Sequence, residues 1–203
     1  MTVQEVIDMA KYGELSNISV KDDVDAVLSY LNLGMLELYK RFPLRVEEYL
    51  LELVEGQIVY TMPDGFMWIV SAYGEVPEDD QRDFLVLPIN KEDDPMSINT
   101  VGWNQVQIPV VSDGAYIAVM YVAAPTTYTA SELSDTIEIP PQMVEALLQY
   151  IAYKAYSGVT SGDQEDMSLY QKFEASCDKI LTKGMFNQDD LYMDDRITTK
   201  GFV

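Results

Sequence analysis

Five pairs of adjacent aspartates, one cysteine and a small group of basic residues are the side chains of this sequence best suited to chemistry. The pairs are Asp22-Asp23, Asp79-Asp80, Asp93-Asp94, Asp189-Asp190 and Asp194-Asp195. Calcium and magnesium take oxygen ligands of this kind. None of the pairs stands in a twelve-residue calcium loop with its glycine and closing glutamate, so solvated loops describe them better than a metal site. Cys177 lies on an apolar helical stripe and reads as a small buried hydrophobe. The chain has no histidine to activate it. That absence also removes the usual general base near neutral pH and the commonest metal ligand, which weighs against an enzyme. There is no glycine-rich phosphate loop, nucleophile elbow or zinc spacing, and no cofactor is expected. Lys40, Arg41 and Arg45 fall where a helix gives way to a strand. They either complement the negative end of the helix dipole or meet an acidic neighbouring subunit or partner. Trp68 and Trp103 read as core or interface residues.

Charge sets the second limit. The 203 residues carry 34 acidic and 13 basic side chains, a net charge of −21. A chain so short of positive charge cannot grip nucleic acid by its phosphates or hold to an anionic membrane surface. The acidity serves solubility, or it repels DNA that passes close by; composition leaves both open. At 48% hydrophobic residues the chain is apolar enough to build a core of one domain, with or without an inserted module. The first residues show no signal peptide, and no stretch approaches the ~20 apolar residues of a membrane span.

The elements that would position these residues follow from period and punctuation. Thr2 and Glu5 make a capping box ahead of Val3, Val6, Ile7 and Ala10, a helix over 3–12. Ser19 and Asp22 mark a second helix over about 20–41, with Val24, Val27, Leu28, Leu31, Met35 and Leu38 on its buried stripe and Phe42-Pro43 at its end. The period then falls to two. Tyr49, Leu51 and Leu53, then Ile58, Tyr60 and Met62, predict two strands paired through a tight turn at Glu55-Gly56. After the Pro63-Asp64-Gly65 turn, strands are expected at 66–73 and 84–87, with an acidic loop at Glu78-Asp79-Asp80 between them. Residues 91–100 read as an exposed loop. Val106, Ile108 and Val110, turned by Ser112-Asp113-Gly114 into 116–122, predict a hairpin whose first strand Pro109 pushes toward a sheet edge. Alternation puts Ile108 inside and Gln107 outside.

A Thr/Ser-rich linker over 125–134 leads to the strongest pattern in the chain, residues 140–158. Two prolines open it and Gly158 stands where a cap wants glycine. Met143, Leu147, Leu148, Ile151, Ala152 and Ala155 form its stripe, and Tyr150 and Tyr153 lie outside it, giving this central helix a second covered side. Ser161 and Gln164 cap a last helix with Met167, Tyr170, Phe173, Cys177, Ile180 and Leu181 on its stripe, stopped by Gly184. Residues 184–203 show neither period and mix acids with Phe186, Leu191, Tyr192 and Met193, as a docking arm would. The expected fold is α+β: a helical bundle of residues 1–44 and 138–183, an inserted antiparallel β module at 45–137, and an extended C-terminal arm at 184–203.

Two stretches together carry a resemblance. One is Arg41-Phe42-Pro43-Leu44-Arg45-Val46-Glu47-Glu48 running into residues 50–66, with Gly56-Gln57, Tyr60 and Pro63 in a fixed phrase. The other is 139–158 followed by an acid-bearing turn and 170–180. This pairing resembles the head-to-tail adaptor proteins of tailed bacteriophages and covers most of residues 20–183. The resemblance implies a virion protein made in the host cytoplasm, a ring of twelve copies under the portal protein, with the next neck or tail protein on its other face. It implies DNA passing through an acidic channel without specific binding. It makes Phe186, Leu191, Tyr192, Met193 and Phe202 portal anchors, and Lys40, Arg41, Arg45, Tyr150 and Tyr153 residues of the subunit interface. A competing expectation is an acidic calcium- or carbohydrate-binding module built on the β insertion, which a calcium-dependent rise in melting temperature would reveal.

Overall fold

The computed structural model describes residues 1–75, 84–91, 93–108, 115–159 and 164–183. The chain divides into two compact units, one formed of Met1–Phe42 and the described residues from Pro125 on, the other of Pro43–Ala124. Helices fill the first and antiparallel sheets the second, so the fold is mixed α+β. The arm at 184–203, the acidic loop at Glu78-Asp79-Asp80, the Ser112-Asp113-Gly114 turn, Pro109, Val110, Ser161 and Gly184 lie outside the described residues, as do the side chains of Gln164 and Met167. No helix among the described residues is long and apolar enough to cross a membrane.

In the helical unit, α1 (Val3–Tyr12) begins at the expected capping box. The Thr2 hydroxyl accepts from the Glu5 N–H and the Glu5 carboxylate accepts from the Thr2 N–H. Its stripe of Val3, Val6, Ile7 and Ala10 is fully buried. The second helix starts later than Ser19. Residues Ser19–Asp22 form a single 3-10 turn with no side-chain cap, and α2 runs over Val24–Arg41. Asp23 is its N-cap, accepting from the Ala26 N–H at 3.0 Å, a carboxylate role that a serine four residues earlier cannot fill. Val24 is consequently half-buried, while Gly34 and Tyr39 join the buried stripe.

Residues 140–159 begin with a 3-10 turn over Pro141–Met143 and continue as α3, Val144–Val159. Gly158 lies within the last turn of α3 rather than beyond it. Packed against α1, α2 and α4 (Gln164–Thr182), α3 is central to its unit. Met143, Leu147, Ile151, Ala152 and Ala155 are buried as the spacing demands, Leu148 of the expected stripe is only half-buried, and Tyr150 is buried on a second side. On α4, Phe173, Cys177 and Ile180 are buried and Leu181 is exposed, one position past the edge of the stripe. The expected linker is a strap. The N–H groups of Val3 and Gln4 donate to Asp135 and Leu133 carbonyls, and the Asn32 amide holds both the N–H and the C=O of Tyr128, at 2.9 and 2.8 Å. The strap thus satisfies N–H groups that a helix start leaves without partners.

Among the described residues the β unit holds seven strands: β1 Val46–Glu52, β2 Val59–Thr61, β3 Phe66–Glu75, β4 Phe84–Val86, β5 Asn99–Gly102, β6 Gln105–Gln107 and β7 Tyr116–Ala123. They form a four-stranded sheet in the order β1-β7-β3-β4 and a three-stranded sheet in the order β2-β6-β5. Both expected hairpins are therefore wrong in their pairing. Gly56 does adopt the positive φ of a turn (79°). That turn carries the chain from one sheet to the other, and the Tyr60 hydroxyl fixes it by accepting from the Val54 N–H and donating to the Gln57 carbonyl, each at 3.0 Å. Likewise β6 pairs with β2 and β5, not β7, and is the central strand of its sheet instead of an edge. The expected loop at 91–100 ends in β5, with Ser97 and Ile98 fully buried. The inward half of the expected alternation holds, with Val106 and Ile108 buried, while Gln107, expected outside, is half-buried. Leu51, Leu53, Ile69, Val119 and Tyr121 from one sheet, with Tyr60, Ile98 and Val106 from the other, share one core.

Candidate functional site

Arg41, in the last turn of α2, joins several partners in the helical unit. Its guanidinium donates in a bidentate pair to Glu174 of α4, at 2.8 and 2.6 Å, and to the Tyr170 hydroxyl at 3.1 Å. Glu37, one turn earlier on α2, lies 3.4 Å away. The guanidinium also sits 4.7 Å from the centre of the Phe173 ring. Only arginine offers a planar fork that pairs with a carboxylate and stacks on a ring together. The hydrogen bond from Arg41 holds the Glu174 carboxyl below its ordinary range, and the bond to Glu174 pushes the Arg41 pKa further up. Beneath this cluster burial raises the Cys177 thiol to about 11, so at neutral pH it is a packed thiol and not a nucleophile.

Tyr150 and Tyr153 of α3 meet α4 in an aromatic seam. Tyr150 packs edge-on against Phe173 at 5.1 Å, and Tyr153 lies 5.1 Å from Tyr170. Lys154 stands over both tyrosine rings. Burial raises the Tyr150 hydroxyl pKa, as does the nearby Glu37 carboxylate. Lys40 is exposed and pairs with Glu37 at 3.3 Å. Arg45, in the β unit, donates to Glu47 at 2.8 Å, and the buried Tyr121 hydroxyl donates to the other Glu47 oxygen at 2.9 Å. These bonds, that from Tyr121 first, hold the Glu47 carboxyl below its ordinary range. The expected interface residues thus form two groups: Lys40, Arg41, Tyr150 and Tyr153 in one unit and Arg45 in the other.

The described aspartate pairs do local work. Asp23 caps α2, and the Asp94 carboxylate accepts from the Met96 N–H in a turn. Asp79-Asp80, Asp189-Asp190, Asp194-Asp195 and the portal anchors Phe186, Leu191, Tyr192, Met193 and Phe202 lie outside the described residues. Among the described residues no group of three or more Asp, Glu or Cys comes together to hold a metal. What sequence reasoning missed is exposed apolar surface. Trp103 is 79% exposed at the β5–β6 turn, and Tyr12, Leu50 and Val86 are also open. Alternation in β1 left Leu50 on the face away from the core, a signal already present in its spacing.

A family model described as SU10 adaptor protein matches residues 1–197. The chain belongs to the SU10 adaptor protein family. This agrees with the head-to-tail adaptor resemblance carried by residues 41–66 and 139–180, and the family is one of structural adaptor proteins, not of enzymes. As an SU10 adaptor protein the chain is a virion component. No match was found among curated proteins. Among solved structures it is similar to a chain described as "Neck of empty GTA particle computed with C6 symmetry". That likeness has 14% identity and a TM-score of 0.30, and covers 85% of this chain and 88% of that one.

Proposed function

We propose that the protein forms a closed ring of copies, twelve in number, that joins the portal to the next neck or tail protein and lines the path of the DNA. The family match over residues 1–197 carries this reading. The net charge of −21 supports it, because an acidic lining repels the phosphates of passing DNA and lets the duplex slide. In this ring residues 1–44 and 138–183 act as a helical bundle, 45–137 as an inserted β module, and 184–203 as an arm. Phe186, Leu191, Tyr192, Met193 and Phe202 of the arm anchor to the portal. In the helical unit Lys40 and Tyr153 meet the neighbouring copy, with Arg41 and Tyr150 supporting them from behind; in the β unit Arg45 meets it. The protein is made in the host cytoplasm and acts at the head-tail junction.

Native mass spectrometry of the full chain, alone and mixed with purified portal rings, tests this function. A closed multi-subunit ring, or a complex that forms on the portal, is the expected result. A monomer indifferent to the portal would overturn it. Removing residues 184–203 is expected to leave the helical fold intact and abolish portal binding; a truncated chain that still co-assembles would refute the anchor assignment.

A further inference from the structure

An antiparallel sheet with one face in the core ordinarily turns polar side chains outward. The four-stranded sheet here does otherwise. Its inward positions include Leu51, Ala72, Ile117, Val119 and Tyr121 of the core. On the outward face one cross-strand row is apolar over the full width: Leu50 is opposite Ala118, Ala118 opposite Tyr73, and Tyr73 opposite Val86. At the usual strand spacing such a row is about 14 Å long. Its ends are the most open, with Leu50 57% and Val86 62% exposed, and Tyr116 beside it on β7 is 40% exposed. Single exposed apolar residues need no explanation, whereas a contiguous apolar strip marks an interaction surface.

The rim of this strip identifies what fits it. Glu48 and Glu52 flank Leu50 on the same face of β1, and both are exposed. Residues 43–124 carry fourteen acidic side chains against three basic ones. Two copies meeting through this face would set carboxylate against carboxylate. A complementary occupant carries apolar side chains inside a rim of lysine and arginine.

We propose that this face docks the tail-side neighbour in the neck, a protein with such a basic-rimmed apolar surface. The proposal rests on the adaptor function above, which gives the portal to residues 184–203 and leaves the tail-side neighbour without a surface. The strip supplies desolvated apolar area, and Glu48 and Glu52 steer and orient the partner.

The test uses the full chain, DNA-filled heads from a phage lacking this protein, and tails purified from the same phage with their neck protein attached. In Leu50→Thr/Val86→Thr the β-branched threonines keep the strand preference. That variant is expected to give the wild-type oligomer mass and to load onto heads normally, while joining tails about tenfold less well. Glu48→Lys/Glu52→Lys is expected to slow joining at low salt, the difference from wild type shrinking as salt rises. A fall in oligomer mass would make a second copy the occupant, and a loss of head loading would make it the portal; either overturns the proposal. So does unchanged tail joining in both variants. If the wild-type chain itself fails to load onto heads, the adaptor function falls, an outcome separate from any effect of the face.

Discussion

Arg41 ties α2 to α4 through a carboxylate, a hydroxyl and a ring at once, and its removal should be felt across the helical unit. Arg41 and Glu174 are 25% and 37% exposed, so the pair is worth less than a fully buried one. Arg41→Ala is expected to cost about 1–2 kcal/mol, read as a lower urea midpoint, with Arg41→Lys recovering only part because an ammonium lacks the fork. The pH dependence has a definite sign. The Glu174 pKa is depressed in the folded chain below its ordinary 4.5, so its stabilisation is present above 4.5 and lost as pH falls through the lower folded value. Glu174→Gln should flatten that part of the acid limb of stability against pH; an unchanged slope would mean Arg41 does not depress this carboxyl. Gly34 makes a second residue-level case. A Cβ there would stand 2.5 Å from Leu147 Cδ1 and 3.2 Å from Tyr150 Cδ1. Both side chains are buried in the α2–α3 contact and have little room to yield. Alanine usually strengthens a helix interior by up to about 1 kcal/mol. Here overpacking of about 1–3 kcal/mol wins, so Gly34→Ala should lower the denaturation midpoint; a higher one would show that Leu147 can rotate away.

Among the elements, those with a local signature were legible and those that depend on distant partners were not. The Thr2–Glu5 box, the stripe from Met143 to Ala155 and the burial of Ile108 are written in neighbouring residues, and each holds in the structure except at Leu148, which is half-buried. Strand pairing is not local. Gly56 and the alternation on either side of it specify a turn between two strands. Nothing in those residues says that β1 pairs with β7, seventy positions on, or that β2 pairs with β6. The stretch over 125–134 was read as a linker because its composition is polar, yet one side chain on α2, Asn32, fastens its backbone twice. Asn32→Ala leaves the Tyr128 N–H and C=O without those partners in a part-buried place, a loss of about 1–3 kcal/mol. Hydrogen exchange should report it directly, with the Tyr128 amide exchanging faster in the variant while amides in the middle of α3 keep their relative protection. An unchanged Tyr128 amide would mean that the strap is held from elsewhere. The outward apolar row of the four-stranded sheet was half visible: alternation put Leu50 outside, but only the register aligns it with Ala118, Tyr73 and Val86.

For the whole molecule the decisive quantity is charge, and it acts on its two proposed associations with opposite signs. Every copy carries −21, so bringing copies together in a ring concentrates like charge. Local pairs such as Lys40–Glu37 are already satisfied within one chain and do little to offset that repulsion. Salt screens it: the Debye length falls from about 30 Å at 0.01 M to about 10 Å at 0.1 M, so charges on adjacent subunits that repel at low salt largely cease to do so at higher salt. The ring fraction in native mass spectrometry or light scattering should therefore rise with sodium chloride over about 0.01–0.2 M. Docking of a basic-rimmed neighbour on Glu48 and Glu52 should weaken over the same range, because there salt screens an attraction. The two trends separate the contacts without any mutation. A ring that dissociates as salt rises would mean that opposite charges hold the copies together. The pairing of Lys40 and Arg45 with carboxylates of the next subunit would then dominate the interface despite the net charge.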